Sequence, residues 1–137
     1  MDQSSKIANH QFSVEIAEDD PDMRQALKIA VERAGYKVIV ATDGQQAYEL
    51  AEKVQPNIIL LDLLLPKMSG KEVLTRLRQS EWGKVIPVIV LTNLDSVNDI
   101  NEVLAAGPSS YYNIKANTSI DKIVEEIAKL LGSGIII

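Results

Sequence analysis

Five short apolar runs alternate with longer segments of helical period, and this alternation constrains the fold of the chain more than any other feature. The runs are FSVEIA (12–17), YKVIVA (36–41), NIILLD (57–62), IPVIVLT (86–92) and YYNI (111–114). Strict alternation of strands and helices is typical of a parallel sheet with helices on both faces. We therefore predict an α/β protein with a doubly wound, five-stranded parallel sheet and five helices.

The segments between the runs carry the expected helix signals. Asp20 is predicted to cap the first helix, Pro21 occupies its first position and Gly35 follows its end. The last segment, SIDKIVEEIAKLLG, places its aliphatic residues on one stripe, as expected of a helix that packs against a sheet. These signals support the helix assignments independently of the strands.

The length of 137 residues is typical of one domain with a substantial core. A hydrophobic fraction of 46% with 24% charged residues describes a soluble globular protein. We predict a single domain over 1–137, with a flexible N-terminal segment at 1–11 and a C-terminal tail at 132–137. The apolar end of that tail, Ile135–Ile137, leaves a dimer contact open, so we expect a monomer or a weak homodimer.

Charge and composition exclude several classes of partner. The net charge of −5 argues against nucleic-acid binding, which requires clustered Lys and Arg. No apolar run approaches the roughly 20 residues that span a bilayer, so we expect no membrane partner. The absence of cysteine fits a reducing compartment, and we predict a cytoplasmic protein.

Polar side chains follow four of the five predicted strands. Glu18 and Asp19 come after the first strand, Asp62 after the third, Thr92 after the fourth and Lys115 after the fifth. Ligand sites in open parallel sheets lie beyond the carboxyl ends of the strands, so these side chains are expected to converge. The competing interpretation is that the acidic triplet 18–20 consists of a helix cap and solvated loop residues.

A carboxylate cluster at this edge of the sheet suits a divalent cation. Carboxylates held together repel one another unless they are neutralised, and Mg²⁺ prefers a few carboxylates together with phosphate oxygens. Asp62, as an exposed carboxylate fixed by a buried strand, could act as a nucleophile toward a phosphoryl group. Thr92 could donate a hydrogen bond to a phosphoryl oxygen, and Lys115 could pair with its charge.

Taken in order, these motifs give the chain a resemblance to the receiver domain of bacterial two-component response regulators, in particular the single-domain, chemotaxis-regulator-like type. The matching motifs are EDDPDMR (18–24), DLLLPKMSG (62–70), VIVLT (88–92), AAG (105–107) and the pair Tyr112 and Lys115. The resemblance covers the chain from about Phe12 to Leu131. It implies the flavodoxin-like strand order 2-1-3-4-5.

The resemblance also implies a role for each site residue. Asp62 would be the phosphoacceptor, with Lys115 in contact with the phosphoryl group. Thr92 and the aromatic Tyr112 would form the switch. The metal ligands would be Glu18, Asp19, Asp62 and the backbone carbonyl of Leu64, around Mg²⁺. The expected partners are a sensor histidine kinase and a downstream protein, and the protein would be a signalling phosphoacceptor rather than an enzyme.

Two stretches depart from the family pattern. Ser13 and Glu15 lie in the first strand, where a central strand should be almost wholly apolar. Glu15 would be costly there unless a helix leaves it uncovered, a partner group satisfies it or the strand shifts register. One extra residue separates Gly107 from Lys115, and Ala116 replaces a proline usual in the family, so Lys115 and Tyr112 are expected to be less well placed than Asp62.

Two alternatives follow from these departures and from the fold. The first is a degenerate or engineered receiver-fold module that acts as a constitutive interaction domain without phosphorylation switching. The second is an enzyme or flavin carrier on the same architecture, since fold alone does not fix function. A phosphohydrolase would need an Asp where this chain has Leu64, and a flavin carrier would need a phosphate-cradling loop where it has EDDPD.

Overall fold

The computed structural model describes residues 12–93, 97–107 and 109–132. Five strands alternate with five α-helices, as predicted. The strands are β1 (Ser13–Ala17), β2 (Lys37–Ala41), β3 (Ile58–Leu61), β4 (Val88–Thr92) and β5 (Ser110–Ile114). The helices are α1 (Pro21–Arg33), α2 (Gly44–Val54), α3 (Gly70–Gln79), α4 (Val97–Ala105) and α5 (Ile120–Leu131), and a short 3₁₀ turn spans Lys115–Asn117.

The strands form one parallel sheet in the order β2-β1-β3-β4-β5. The predicted doubly wound fold and strand order are therefore confirmed. Because the order reverses between β1 and β3, the carboxyl ends of these two strands flank the crevice where ligands bind in such sheets. The strand limits differ from the apolar runs by one or two residues. The run-end residues outside the strands are Phe12, Tyr36, Asn57, Asp62, Ile86 and Pro87, and Ser110 joins β5.

Local capping follows the sequence signals. Asp20 accepts a hydrogen bond from the Met23 N–H and Pro21 begins α1. Gly35 follows the helix with a φ of 100°, a left-handed conformation that favours glycine. The start and the end of α1 are thus determined by a capping side chain, a proline and a glycine.

The sheet separates two apolar layers. One face of the sheet packs against α1 and α5, through residues such as Ile16, Leu27 and Ile127. The other face packs against α2, α3 and α4, through Ala51, Leu77 and Val103, among others. β3 and β4 are buried along their whole length, as their continuous aliphatic sequence predicts.

Two of the three explanations offered for Glu15 are wrong, and the described residues contain no partner for it. Its side chain is buried with 1% exposure, so the helices do cover it. Its strand is in regular register, with Glu15 opposite Ile39 on β2 and Ile59 on β3. Neither of its carboxylate oxygens has a hydrogen-bond partner among the described residues. The explanation that a helix leaves Glu15 uncovered fails because α2 packs over this face of β1.

Several sequence-based expectations fall on segments beyond the described residues. These are the flexible segment at 1–11 and the C-terminal tail at 132–137, of which only Gly132 is described. Within the described ranges, no helix is long and apolar enough to cross a membrane.

Candidate functional site

Three carboxylates converge where β1 and β3 end. Glu18 directly follows β1, and Asp62 directly follows the neighbouring strand β3. The Asp62 N–H donates to the Ala17 carbonyl at 3.1 Å, which extends the strand pairing to the site itself. One carboxylate oxygen from each of Glu18, Asp19 and Asp62 lies within 4.8 Å of the others. The predicted convergence of these side chains is therefore present.

Lys115 lies against two of these carboxylates. Its Nζ is 2.6 Å from Glu18 Oε1 and 2.8 Å from Asp62 Oδ2. The extra residue before it does not displace it, because β5 pairs in regular register with β4 and ends at Ile114, immediately before Lys115. The register of β5 and the two short contacts of Lys115 show that the expectation of a poorly placed Lys115 is wrong.

The two inner carboxylates are more enclosed than predicted. Asp62 is only 5% exposed and Glu18 2%, whereas Asp19 is exposed. The expectation of an exposed Asp62 is therefore wrong, because Lys115 covers one of its oxygens. Its other oxygen, Oδ1, accepts a hydrogen bond from the Leu64 N–H at 3.0 Å. Asp62 is held in one orientation from both sides.

Burial and charge act in opposite directions at this site. Burial raises the pKa of Glu18, and the hydrogen bonds from Lys115 and from the Asp20 N–H only partly oppose that effect. Burial lowers the pKa of Lys115, but the hydrogen bonds to Asp62 and Glu18 and their charges outweigh it, so the pKa of Lys115 is raised. The raised pKa of Glu18 favours its neutral form, whereas the raised pKa of Lys115 favours its charged form. A contact as short as 2.6 Å is typical of a charge-assisted hydrogen bond, which indicates the charged pair.

With these groups ionised, three carboxylates face one ammonium, and the site keeps a formal charge of −2. A divalent cation would cancel that charge, and Mg²⁺ is bound in proteins by one or two carboxylates with several waters. The all-oxygen donor set of Glu18, Asp19 and Asp62 fits this ion. The sequence-based ligand set also includes the carbonyl of Leu64, whose N–H is already fixed on Asp62.

Thr92 and Tyr112 lie on one face of neighbouring strands. Thr92 ends β4, is fully buried and pairs in register with Ile114. Tyr112 pairs with Val90 and packs against the apolar layer that also contains Val90. Because residues two apart on a strand share a face, Tyr112 lies on the Thr92 side of the sheet, one step back from the carboxylates.

Sequence reasoning assigned no role to Arg24, although it lies in the EDDPDMR motif. Its guanidinium donates to the backbone carbonyl of Glu18 at 2.9 Å and to that of Asp19 at 3.3 Å. It therefore ties α1 to the loop that carries two of the carboxylates. Arg24 follows its acceptors by five or six residues in the sequence. Because those acceptors are backbone carbonyls, no side-chain pattern in the sequence marks the contact.

Gly70 is required for close packing under Asp62. A Cβ at this position would lie 2.2 Å from the Asp62 carbonyl oxygen and 2.6 Å from the Leu63 Cα. Since no real Cβ tolerates such contacts with backbone, only glycine lets the first turn of α3 approach the end of β3 this closely. Steric contact with the end of β3 therefore explains why the DLLLPKMSG motif has a glycine at this position.

Comparison with known proteins agrees with this architecture. The family model described as the response regulator receiver domain matches residues 14–127. The chain belongs to this family. The matched range contains the three carboxylates, Lys115 and every strand residue except Ser13, and the resemblance drawn from the sequence motifs is confirmed.

Relatives of the receiver domain include longer regulators. The chain is 41% identical over 96 residues to the DNA-binding dual master transcriptional regulator RpaA of Synechocystis sp., covering 70% of this chain and 40% of that protein. It is 33% identical over 119 residues to the probable transcriptional regulatory protein TcrX of Mycobacterium tuberculosis, covering 87% and 49%. The chain thus spans less than half the length of these relatives. Because the first is named as DNA-binding, the expectation of no nucleic-acid partner stays a prediction.

Solved structures show the same receiver fold. The Francisella response regulator 1452 receiver domain superposes with a TM-score of 0.79 at 31% identity, covering 88% of this chain and 96% of that one. The chemotaxis response regulator CheY4 of Vibrio cholerae gives a TM-score of 0.78 at 26% identity, covering 88% and 98%. The flavodoxin-like fold and the membership of a two-component system family rest on these matches together with the strand order.

Proposed function

We propose that this receiver domain accepts a phosphoryl group on Asp62 from a sensor histidine kinase and signals through a changed protein-interaction surface. The observation that carries the proposal is the placement of Asp62, held between the Leu64 N–H and Lys115 and within 4.8 Å of two further carboxylates. A merely structural carboxylate would need no such acidic neighbours, because each added charge raises the cost of burial.

Asp62 is the nucleophile in this proposal. One of its carboxylate oxygens attacks the phosphorus atom, the new P–O bond forms an acyl phosphate, and the bond from phosphorus to the histidine nitrogen breaks. The leaving imidazole keeps the bonding electron pair and takes up a proton from solvent. Each carboxylate oxygen has two lone pairs, so the hydrogen bond to Leu64 fixes the attacking group without consuming its reactivity.

Glu18, Asp19, Asp62 and the Leu64 carbonyl would hold Mg²⁺, which when bound neutralises the acidic cluster and the incoming phosphoryl oxygens. Lys115 supplies the remaining positive charge from the opposite side, at the end of β5. Its side chain is 13% exposed and close enough to Asp62 to contact a phosphoryl group attached there. Thr92, at the end of β4, would donate its hydroxyl to a phosphoryl oxygen.

Signalling would pass from Thr92 to Tyr112 and the surface formed by α4, β5 and α5. Tyr112 is half-buried against the apolar layer on the Thr92 side of β4 and β5. A change in the position of Thr92 would therefore alter the space available to the aromatic ring. A downstream protein that contacts this surface would distinguish the two states.

Intact-mass spectrometry tests the proposal directly. The parent chain, Asp62→Ala and the control Asp22→Ala are incubated with acetyl phosphate and Mg²⁺. Asp22 is an exposed carboxylate in the first turn of α1, outside the cluster. We expect one added phosphoryl group on the parent and the control and none on Asp62→Ala. Equal labelling of all three would overturn the assignment of Asp62, and labelling of none would favour the constitutive module.

A further inference from the structure

Glu15 is a buried carboxyl group that the phosphoacceptor site does not use. It lies in the middle of β1, with 1% exposure and without a hydrogen-bond partner for either oxygen in the described part of the chain. Its neighbours across the sheet are Ile39 and Ile59. An isolated carboxylate in such surroundings is among the costliest groups to bury, and it reduces that cost by keeping its proton.

Among the residues that the structure describes, none offers Glu15 a compensating charge. Val14 and Ile16 belong to the layer under α1 and α5, so Glu15 points toward α2 and α3 on the opposite face. The charged side chains of these two helices are exposed or paired elsewhere, and the strands beside β1 add only the exposed Lys37. The groups concerned are Glu49, Glu52 and Lys53 on α2 and Lys71, Glu72, Arg76 and Arg78 on α3.

We propose that Glu15 is a proton sensor: its carboxyl group is neutral in the folded domain, and loss of its proton loosens the packing of α2 on β1. This device is independent of phosphorylation at Asp62, since Glu15 lies in the middle of β1 and is not part of the acidic cluster. It adds to the receiver fold a response to pH that the ordinary apolar residue at this strand position would not provide.

The helix expected to yield is α2, because it packs on β1 mainly through small residues. Its fully buried residues are Gly44, Ala47 and Ala51, which contribute little apolar area. The opposite face of β1 is held by larger side chains, including Leu27, Val31 and Ile123. Segments with small buried area open most readily, so an ionised Glu15 gains water at the lowest cost by displacing α2.

The direction of the pH effect follows from the burial of Glu15. Burial raises its pKa from 4.5 to about 8. The closed state therefore binds the proton more tightly than the open state, in which the pKa returns to 4.5. Below pH 4.5 both states are protonated and stability is greatest. The opening equilibrium then rises about tenfold per pH unit up to the raised pKa and levels off above it.

The charge state is tested by infrared spectroscopy of the full chain at pH 6 and pH 9. We expect the carbonyl band of a buried carboxylic acid at pH 6, its loss at pH 9, and its absence from Glu15→Gln at both values. The control Glu49→Gln, an exposed carboxyl on α2, should keep the band. A parent chain that shows no such band at pH 6 would overturn the proposal, as would a band that persists in Glu15→Gln.

Amide hydrogen exchange tests the opening of α2. Rates in the parent chain are divided by those in Glu15→Gln at pH 6, 7, 8 and 9, which removes the intrinsic effect of pH. For α2 amides the ratio should rise about tenfold per pH unit from 6 and flatten near 9. A constant ratio would overturn the sensor. Exchange of α2 no faster than that of the central strand β3 would overturn the local opening.

A second variant covers the case in which Glu15→Gln fails to fold, since its amide would also lack partners. Glu15→Met has a similar shape and no polar group, so we expect it to fold. The exchange rates of the parent chain can then be divided by those of Glu15→Met instead of Glu15→Gln. If Glu15→Met shows the same pH dependence in α2 as the parent chain, Glu15 is not the sensor.

Discussion

Lys115 Nζ lies 2.8 Å from Asp62 Oδ2 and thereby joins the end of β5 to the end of β3, across the intervening strand β4. The same ammonium reaches Glu18 at the end of β1. One side chain thus links three strand ends at the edge where the fold places ligands. The acidic cluster and its counter-charge form a single unit, and changing one member should affect the others.

Replacing Lys115 by Met should destabilise the metal-free domain. Glu18 and Asp62 would stay buried without their partner, and breaking a buried ion pair typically costs about 3–5 kcal/mol. Added Mg²⁺ should restore much of this loss, because it supplies the missing positive charge. The free energy of unfolding, measured in urea with and without Mg²⁺, checks both effects. Lys53→Met, an exposed position on α2, is the control. A loss that Mg²⁺ does not reduce would contradict this account of the site.

Mg²⁺ affinity should fall as pH is lowered, and Glu18 should account for part of that fall. Its pKa is raised, chiefly by burial, and only the deprotonated carboxylate binds the ion. Protons therefore compete at higher pH than for an ordinary glutamate. Calorimetric titration with Mg²⁺ at several pH values should show a steep dependence in the parent chain and a shallower one in Glu18→Gln. Identical dependence in both would exclude Glu18 as a ligand.

Gly70→Ala should disturb the phosphoacceptor without touching its side chain. The added methyl group would lie 2.2 Å from the Asp62 carbonyl oxygen, so α3 or the end of β3 must move. Overpacking of this kind costs about 1–3 kcal/mol, and we expect slower labelling by acetyl phosphate. Gln79→Ala, at an exposed position of the same helix, should change neither quantity. Normal labelling kinetics in Gly70→Ala would show that Asp62 tolerates the shift.

The sequence predicts the fold well because the apolar runs and the helix-capping residues indicate the same alternation of strands and helices. Aliphatic runs such as Ile58–Leu61 form strands buried on both faces, and Asp20 with Pro21 sets the start of α1. The acidic cluster was predictable for the same reason, since strand ends converge in a parallel sheet.

Three features could not be obtained from the pattern. Arg24 binds backbone carbonyls, which no side-chain motif records. Lys115 is well placed despite the extra residue because β5 keeps regular register with β4, and spacing alone does not locate an insertion. Glu15 departs from the expectation that a central strand is almost wholly apolar, because a carboxyl group that keeps its proton can be buried where a charged one could not. These are the points at which tertiary packing overrides local sequence.

Glu15→Met should stabilise the domain, and by an amount that grows with pH. With a pKa raised from 4.5 to about 8, the folded state must keep a proton that the unfolded chain releases. The parent chain therefore loses stability as pH rises from 4.5 toward 8, by about 1.4 kcal/mol per unit. Met has no proton to lose, so its advantage should include a term of about 3 kcal/mol at pH 7 that shrinks toward zero near pH 4.5. Urea unfolding at pH 5, 7 and 9, followed by circular dichroism, measures the difference. If Glu15→Met is more stable than the parent chain by the same amount at every pH, Glu15 binds its proton equally in the folded and unfolded states. If Glu15→Met is less stable than the parent chain, the carboxyl group contributes contacts to the core.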